Sequence, residues 1–600
     1  MRLKARLKNS ITSSKLHTIP ENTCVFDIET DGFLDVMSKI HSLVIYDVTE
    51  EKLHSYSDNN GYESIAAGLD KLSSYSCIVG HNIIGFDIPA IKKLHDTQLT
   101  DTVLDTYNMS TLIYTELTTH DYTYNKRIPD VLKGSHKLEA WGARLGVHKA
   151  DFGKTTDWKQ WSKAMQDYCE QDVTVNVALF RHLVGKQYSM EAIQLETDFQ
   201  KYITIQEQTG VTFDVDAARA LSKKLKVELS KIDMSIAKVC PPTIKHMKTK
   251  DKVIPFNAGS RDQIVRFLMD KYKWKPENIS KKTRKPLLDS EVMETLTYPE
   301  VELFKKRFAI TNLQAKLETG EQSWLKYLKG DKIHGRVITN GAVSGRCTHA
   351  SPNLAQVTSP RKPFGKEARA LFTAPPGMVL VGADASGLEL RCLAHYLHPY
   401  DNGRYTKLVT TGDPHTANQK DAGLPDRDAA KRFIYAFNYG AGDELIGSLV
   451  NNTLSESMKK ELGRRIKAEF LSKAQGFSML LQDIKSAAKT RGYLVGVDGR
   501  RLLIRSEHMA LNTLLQGAGA VIMKKAAVLA WSKIQKDKLL SECLPVLNVH
   551  DEIQMIAYEH NAPTIGDILV SSIQEAGEYY NFKCPLDGQY KVGKNWMETH

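Results

Sequence analysis

The stretch Val379-Leu-Val-Gly-Ala-Asp384-Ala-Ser-Gly-Leu-Glu389-Leu-Arg391 decides the reading of the larger part of this chain. An apolar run ends on an acid, a Ser-Gly pair interrupts it, and the pattern then turns helical. A second window, Val546-Leu-Asn-Val-His550-Asp551-Glu552-Ile-Gln-Met555, reads as a hairpin with His550-Asp551 at its tip. Aspartate is common in turns, so either acid taken singly also fits a plain turn. Between the two windows, Arg427, Lys431, Tyr435 and Tyr439 recur every four residues, which is one slowly turning stripe along a helix. Phe433, Ile434 and Phe437 supply its buried side. Two cations followed by two aromatics suit a polyphosphate at one end and a base at the other, although a solvated face with core aromatics fits the same spacing.

Toward the N-terminus, Cys24–Glu29, Ser42–Val48 and Cys77–Gly80 read as strands, and Leu132–Leu145 and Tyr168–Leu183 as helices. The first third is therefore α/β. In Phe26-Asp27-Ile28-Glu29 the two acids share one face of a strand while Phe26 and Ile28 point into the core. Burying two anions side by side is costly unless a cation lies between them, and an acidic turn ending a strand is the plainer alternative. Two further windows follow in order: Asn82-Ile-Ile-Gly-Phe86-Asp87 after a short apolar strand, and Tyr168-Cys-Glu-Gln-Asp172 on a helix, where an i, i+4 spacing puts Tyr168 and Asp172 on one face. A long amphipathic helix with Leu221, Leu225, Leu229, Ile232, Ile236 and Val239 on one side runs to Pro241-Pro242. Asp413–Ala488 is mostly helical in pattern.

Six hundred residues are too many for one core and predict a multidomain chain. Lys and Arg outnumber Asp and Glu by 81 to 70, a surplus that suits a polyanionic partner. The 8 cysteines include no CxxC pair, which argues against a disulfide framework or a structural zinc site. The most apolar run, Gly519–Ala530, is cut by Lys524 and Lys525, so no membrane association is expected. Lys271–Lys285 interleaves basic residues with Tyr272 and Trp274, which fits a nucleic-acid backbone or a solvated helix face equally.

The N-terminal series, Asp-x-Glu, Asn-x3-Phe-Asp and Tyr-x3-Asp, resembles the proofreading 3′–5′ exonucleases of the DEDD superfamily, Tyr subtype. The later windows resemble the family A (DNA polymerase I-like) DNA polymerases, most nearly the replicative enzymes of short-tailed bacteriophages. Gly134–Trp141, Phe256–Asp262, Asn340–Arg346, Pro352–Gln356, Asp498–Arg500, Leu511–Gln516 and Asn595-Trp596 extend the likeness from Cys24 to the C-terminus. The resemblance implies an RNase H-like exonuclease domain and a right-hand polymerase domain. It lays out a basic arm at 1–23, exonuclease domain at 24–195, thumb at 196–335, palm at 336–402 and 514–600, and fingers at 403–513.

It further implies that Asp27, Glu29, Asp87 and Asp172 hold two divalent ions while Tyr168 orients the attacking water. Asp384 and Asp551 hold two Mg²⁺, with Mn²⁺ able to substitute. Arg427, Lys431 and His415 grip the phosphates, Lys431 also protonating the leaving group. Tyr435 stacks near the incoming sugar, Tyr439 near the templating base, and Glu389 is the steric gate. Arg346 and Gln516 read the primer-terminal pair from the minor groove, and His550 contacts the primer terminus. Tyr435 stands where phenylalanine is the common alternative, which predicts ready incorporation of dideoxynucleotides. Primer-template DNA, dNTPs, a helicase/primase and a single-strand binding protein are the expected partners. Lys238–Pro255 leaves no room for the thumb insertion by which some relatives capture thioredoxin, and no 5′-nuclease domain is expected. The expected setting is the cytoplasm of a phage-infected bacterium. The basic, Ser-containing leader leaves a mitochondrion or plastid as the alternative.

Overall fold

The computed structural model describes residues 20–600 apart from 127, 148–156, 246–251, 277–278 and 281–282. Most of the expected basic arm, the middle of Lys238–Pro255 and part of Lys271–Lys285 therefore lie outside the described residues. In chain order the first body contains β1 (Thr23–Thr30), β2 (Ile40–Asp47), β3 (Lys52–Tyr56), β4 (Cys77–Gly80) and β5 (Val103–Asp105). They form one sheet in the order β3-β2-β1-β4-β5, with β1 antiparallel to β2 and parallel to β4. Both faces of β1 are covered: Cys24, Phe26 and Ile28 join one core, and Val25 joins another on the face that also carries Asp27 and Glu29. Helix α1 (Lys163–Val184) packs on β1 and β2.

Two local expectations are corrected here. α1 starts at Lys163, where the Ser162 hydroxyl caps the Met165 amide, so Tyr168 lies in its second turn instead of opening it. Leu132–Leu145 is not one helix but a short turn over Asp130–Leu132 and a helix over Leu138–Leu145. Gly134, at φ +74°, breaks the pattern, and a Cβ there would lie 2.1 Å from Thr118 Oγ1.

Helix α2 (Met190–Thr209) leads into the second body, followed by α3 (Val215–Val239), where Leu225 and Ile236 of the expected stripe are buried, Leu221, Leu229 and Ile232 are half-buried and Val239 is exposed. The hairpin of β6 (Arg336–Ile338) and β7 (Thr348–Ala350) precedes β8 (Met378–Ala385) and α4 (Leu388–Asp401). Helices α5 (Pro414–Ala422) and α6 (Arg427–Asn438) open the helical segment that runs to Arg491. A second hairpin, β9 (Tyr493–Val495) and β10 (Arg501–Leu503), then leads to α7 (Ala510–Lys536). The chain closes with β11 (Cys543–Val549), β12 (Glu552–Tyr558), α8 (Ala562–Tyr579) and β13 (Gly588–Gly593). These strands and β8 form an antiparallel sheet in the order β11-β12-β8-β13. α7 is long and apolar enough to cross a bilayer by composition, yet 72% of that window is buried inside the fold, where Leu511, Ala518, Ile522 and Ile534 join the main core.

Two candidate acidic active sites

In the first body, the pleat of β1 sends Asp27 and Glu29 out of one side of the sheet. Asp87 begins the helix Asp87–His95, and its Oδ1 accepts the Ile28 amide at 3.3 Å, directly between the two strand acids. Asp172 comes from α1, one turn past Tyr168, whose ring meets Trp158 edge-on with centroids 6.3 Å apart. Cys169 sits among them. Its sulfur and one carboxylate oxygen from each of Asp27 and Glu29 lie within 4.8 Å of one another. Burial pushes the Cys169 thiol well up, and the charges of Asp27, Glu29, Asp172 and Asp87 add to the effect, so all four acids lie near its sulfur.

The Asp87 carboxyl is likewise pushed up by burial and by Asp105, a residue the motif reading did not single out. Asp105 is 1% exposed and caps the helix Thr106–Ile113. It also accepts the Asn82 and Ile84 amides, which pins the loop that delivers Asp87. The signal available beforehand was an N-cap aspartate at a strand end.

In the second body, cross-strand register builds the other site. Asp384 of β8 stands opposite Glu552 of β12, and the Ala385 amide donates to the Asp551 carbonyl at 3.2 Å. His550 and Asp551 form the two-residue turn between β11 and β12, with His550 at φ +59°. Acids from positions 384 and 551 are thereby brought together. Asp384 is pushed up to about 7, first by burial and then by Asp551 and Glu552. Two acids brought together in this way offer an all-oxygen donor set that could hold a hard divalent ion.

The sign has a consequence for stability. The unfolded chain releases the Asp384 proton near pH 4, whereas the folded chain keeps it until about 7, so stability from this group is lost as pH rises through that window. In chelator at pH 8, Asp384→Asn is expected to raise the melting temperature by about 2 °C. At pH 4 the difference should vanish, and a variant that melts below the parent at pH 8 would contradict the charge argument.

Glu552 behaves differently from its neighbour. Burial would raise it, but His600, Arg369, Trp596 and Gln554 together hold it below the usual carboxylate range. The Trp596 indole and the Gln554 amide each donate to its Oε1 at 2.6 Å, and the Arg369 guanidinium stacks 4.3 Å over the Trp596 ring. Glu552 is a buried pillar under the two acids, a role that adjacency to Asp551 alone did not reveal.

The C-terminal part of α6, at Tyr435, lies near these acids. Phe433, Ile434 and Phe437 are buried, and the Phe433, Phe437, Phe470 and Phe477 rings pack together behind it. The phenol of Tyr435 is kept protonated by burial and by Glu389, Tyr439 and Asp551. Tyr439 donates to Glu389 Oε2 at 3.4 Å. The Tyr439 phenol is pushed up by burial and Glu389, with Arg346 and Gln516 acting against the shift. Glu389 itself is raised, mainly by burial, and Arg346 opposes. His550 is lowered by desolvation and by Arg346.

Asp551, Glu389, Tyr435, Tyr439, Arg346, Gln516 and His550 therefore lie close to one another. A second group adjoins them through His415, whose ring lies 6.2 Å from that of Tyr435. Burial, Arg427 and Lys431 lower His415. Lys431 is exposed, while Arg427 forks onto Asp413 at 2.7 and 3.3 Å.

A model of DNA polymerase family A matches residues 215–598, and one of the RNase H superfamily matches 24–184. The DNA-directed DNA polymerases of Enterobacteria phage T3 and Escherichia phage T7 are each 32% identical, covering 96% of this chain and 100% of the relative. Those alignments run over 710 and 713 positions against 600 residues here, so each relative has roughly a hundred or more positions with no counterpart in this chain. A solved structure, the POL domain of Pol1 from M. smegmatis in complex with DNA primer-template and dNTP, superposes with a TM-score of 0.74 at 18% identity. It covers 99% of this chain and 98% of that one, a likeness of fold alone. Together with the two acidic sites, these matches make the chain a member of DNA polymerase family A with an RNase H-like domain ahead of its polymerase domain.

Proposed function

We propose that this chain extends a primer 3′-OH with dNTPs on a DNA template and removes mispaired 3′ ends in its first body. The observation that carries the reading is the convergence of Asp384 and Asp551, brought from distant segments to one strand end facing Tyr435 and Glu389. Asp384 and Asp551 would hold two divalent ions, Mg²⁺ by preference, and Asp27, Glu29, Asp87 and Asp172 a second pair. Such ions activate an attacking oxygen and offset charge on the leaving one.

The chain's own groups do the rest. Lys431 and His415 bind the triphosphate, and Arg427 joins them by leaving Asp413. Lys431 delivers a proton to the departing pyrophosphate. Glu389, pinned by Tyr439, crowds the 2′ position of the sugar. Tyr439 stacks by the templating base, and Arg346, Gln516 and His550 hold the primer terminus. In the first body Tyr168 orients the attacking water. Segments 196–335, 336–402 with 514–600, and 403–513 would act as thumb, palm and fingers.

A neutral Tyr435 hydroxyl can replace the hydrogen bond lost when a nucleotide lacks its 3′-OH. Tyr435→Phe is expected to raise the dideoxy-to-deoxy ratio needed for equal chain termination by roughly tenfold to a hundredfold. Unchanged ladders for variant and parent would remove Tyr435 from the sugar site.

We infer a phage-encoded protein working in a bacterial cytoplasm, since the relatives matched over nearly their whole length are phage enzymes. A helicase/primase and a single-strand binding protein are the partners such work requires, and thioredoxin is not among those proposed. The test is a primer-template with a 3′ mismatch in Mg²⁺, with and without dNTPs. Extension with dNTPs and trimming without them support both sites. Trimming alone would leave the second body a DNA-holding platform.

A further inference from the structure

Lys524 sits in the middle of the long apolar helix α7 and is 2% exposed. A buried ammonium is costly unless every proton finds a partner. It donates to Glu196 Oε1 at 2.6 Å, to the Thr339 carbonyl at 2.7 Å and toward Asn340 Oδ1 at 3.4 Å. The same Glu196 oxygen accepts Arg500 Nη2 at 2.7 Å. Arg500, 1% exposed, forks onto Asp498 at 2.9 and 2.7 Å and reaches Asn340 Oδ1 at 3.4 Å. Two cations and two anions are thus buried as a neutral set drawn from α2, the β9–β10 turn and α7, and both cations converge on Asn340.

Thr339 and Asn340 open the loop between β6 and β7, which also carries Arg346. Next to Arg346, Gly345 has φ +79°, and a Cβ there would lie 2.4 Å from Arg500 Nη1, so the guanidinium fills the floor of the loop. Arg346, Lys524 and His550 also line one cleft. Gln516 stands on α7 eight residues before Lys524, about 12 Å along the same helix. One rigid helix therefore carries Gln516 directly and grips the base of the Arg346 loop through Lys524. Buried ion pairs are often replaceable by apolar groups at no loss of stability, so stability alone does not account for this set.

We propose that Lys524, with Arg500 and Glu196, is a positioning device that holds Arg346 in register with Gln516 so that both reach the same primer-terminal base pair. The inference rests on the reading of Arg346 as a minor-groove contact. The probe is a primer ending in 3-deazaguanine, which lacks the N3 acceptor in the minor groove, compared with the same primer ending in guanine. In single-turnover extension the parent should slow on the deaza primer by about tenfold or more, the discrimination one base-edge contact supplies.

Lys524→Met should bring that ratio below about threefold, with the KM for dNTP unchanged, and Lys524→Arg should restore it. Glu196→Gln combined with Lys524→Met removes both charges together and gives the same readout if the single variant fails to fold. A folded Lys524→Met or double variant that keeps the parent ratio overturns the inference. Arg346→Ala separates the two layers: if it too keeps the ratio, the reading of Arg346 fails and the positioning role falls with it.

Discussion

Asp551→Ala is expected to lower primer extension by about a thousandfold or more while leaving trimming of a single-stranded 3′ end within about twofold of the parent. The carboxylate lies on a hairpin tip against β8, where its charge is the second cause, after burial, of the raised Asp384 carboxyl. Removing it takes away one of two groups able to hold a divalent ion and leaves Asp384 unable to bridge a pair. The backbone is preserved, because the Asp551 carbonyl that accepts the Ala385 amide is untouched. A rapid-quench extension assay with and without a chase of trimming on the same preparation checks both halves. Normal extension would show that the polymerase centre lies elsewhere, and loss of both activities would show that the change had disturbed the fold.

Asp27→Ala is the converse and should be as large. Trimming of a mismatched 3′ end is expected to fall by about a thousandfold or more with extension of a matched primer unchanged. Asp27 lies beside Glu29 and Cys169, with Asp87 and Asp172 near the same sulfur, so if the four acids act as a unit their single removals are not additive. The Cys169 thiol, which donates to the Asp27 carbonyl at 3.5 Å, keeps the strand in place in the variant. Release of terminal mononucleotide from labelled single strand in Mg²⁺ is the measurement. Retention of more than a tenth of the parent rate would move the exonuclease chemistry away from β1.

What could be read before folding was the set of residues whose chemistry depends on local spacing. Asp27 and Glu29 share a face because a strand has period 2, and Arg427, Lys431 and Tyr435 lie along one slowly turning stripe because a helix has period 3.6. The strand Cys77–Gly80 and the long helix ending before Pro241 were legible for the same reason. The left-handed Gly134 that splits Leu132–Leu145 was not, since its conformation is set by Thr118 and Asp121 packed against it. Nor were Glu552 and Lys524. Each is defined by partners tens to hundreds of residues away, such as Glu196 to Lys524, and pairing at that separation leaves no periodic trace.

The order of strands in the second sheet also sets the order in which activities can arise during synthesis. β8, which bears Asp384, has as its neighbours β12 at residues 552–558 and β13 at 588–593, so its sheet cannot close until the ribosome has made nearly the whole chain. The first body is completed by α1 and the start of α2, whose Ala192 and Ile193 join its core. At about 20 residues per second the nuclease fold is complete roughly 20 s before the polymerase centre can form. A ribosome that stalls anywhere in that interval releases a chain equipped to erase DNA and unable to write it.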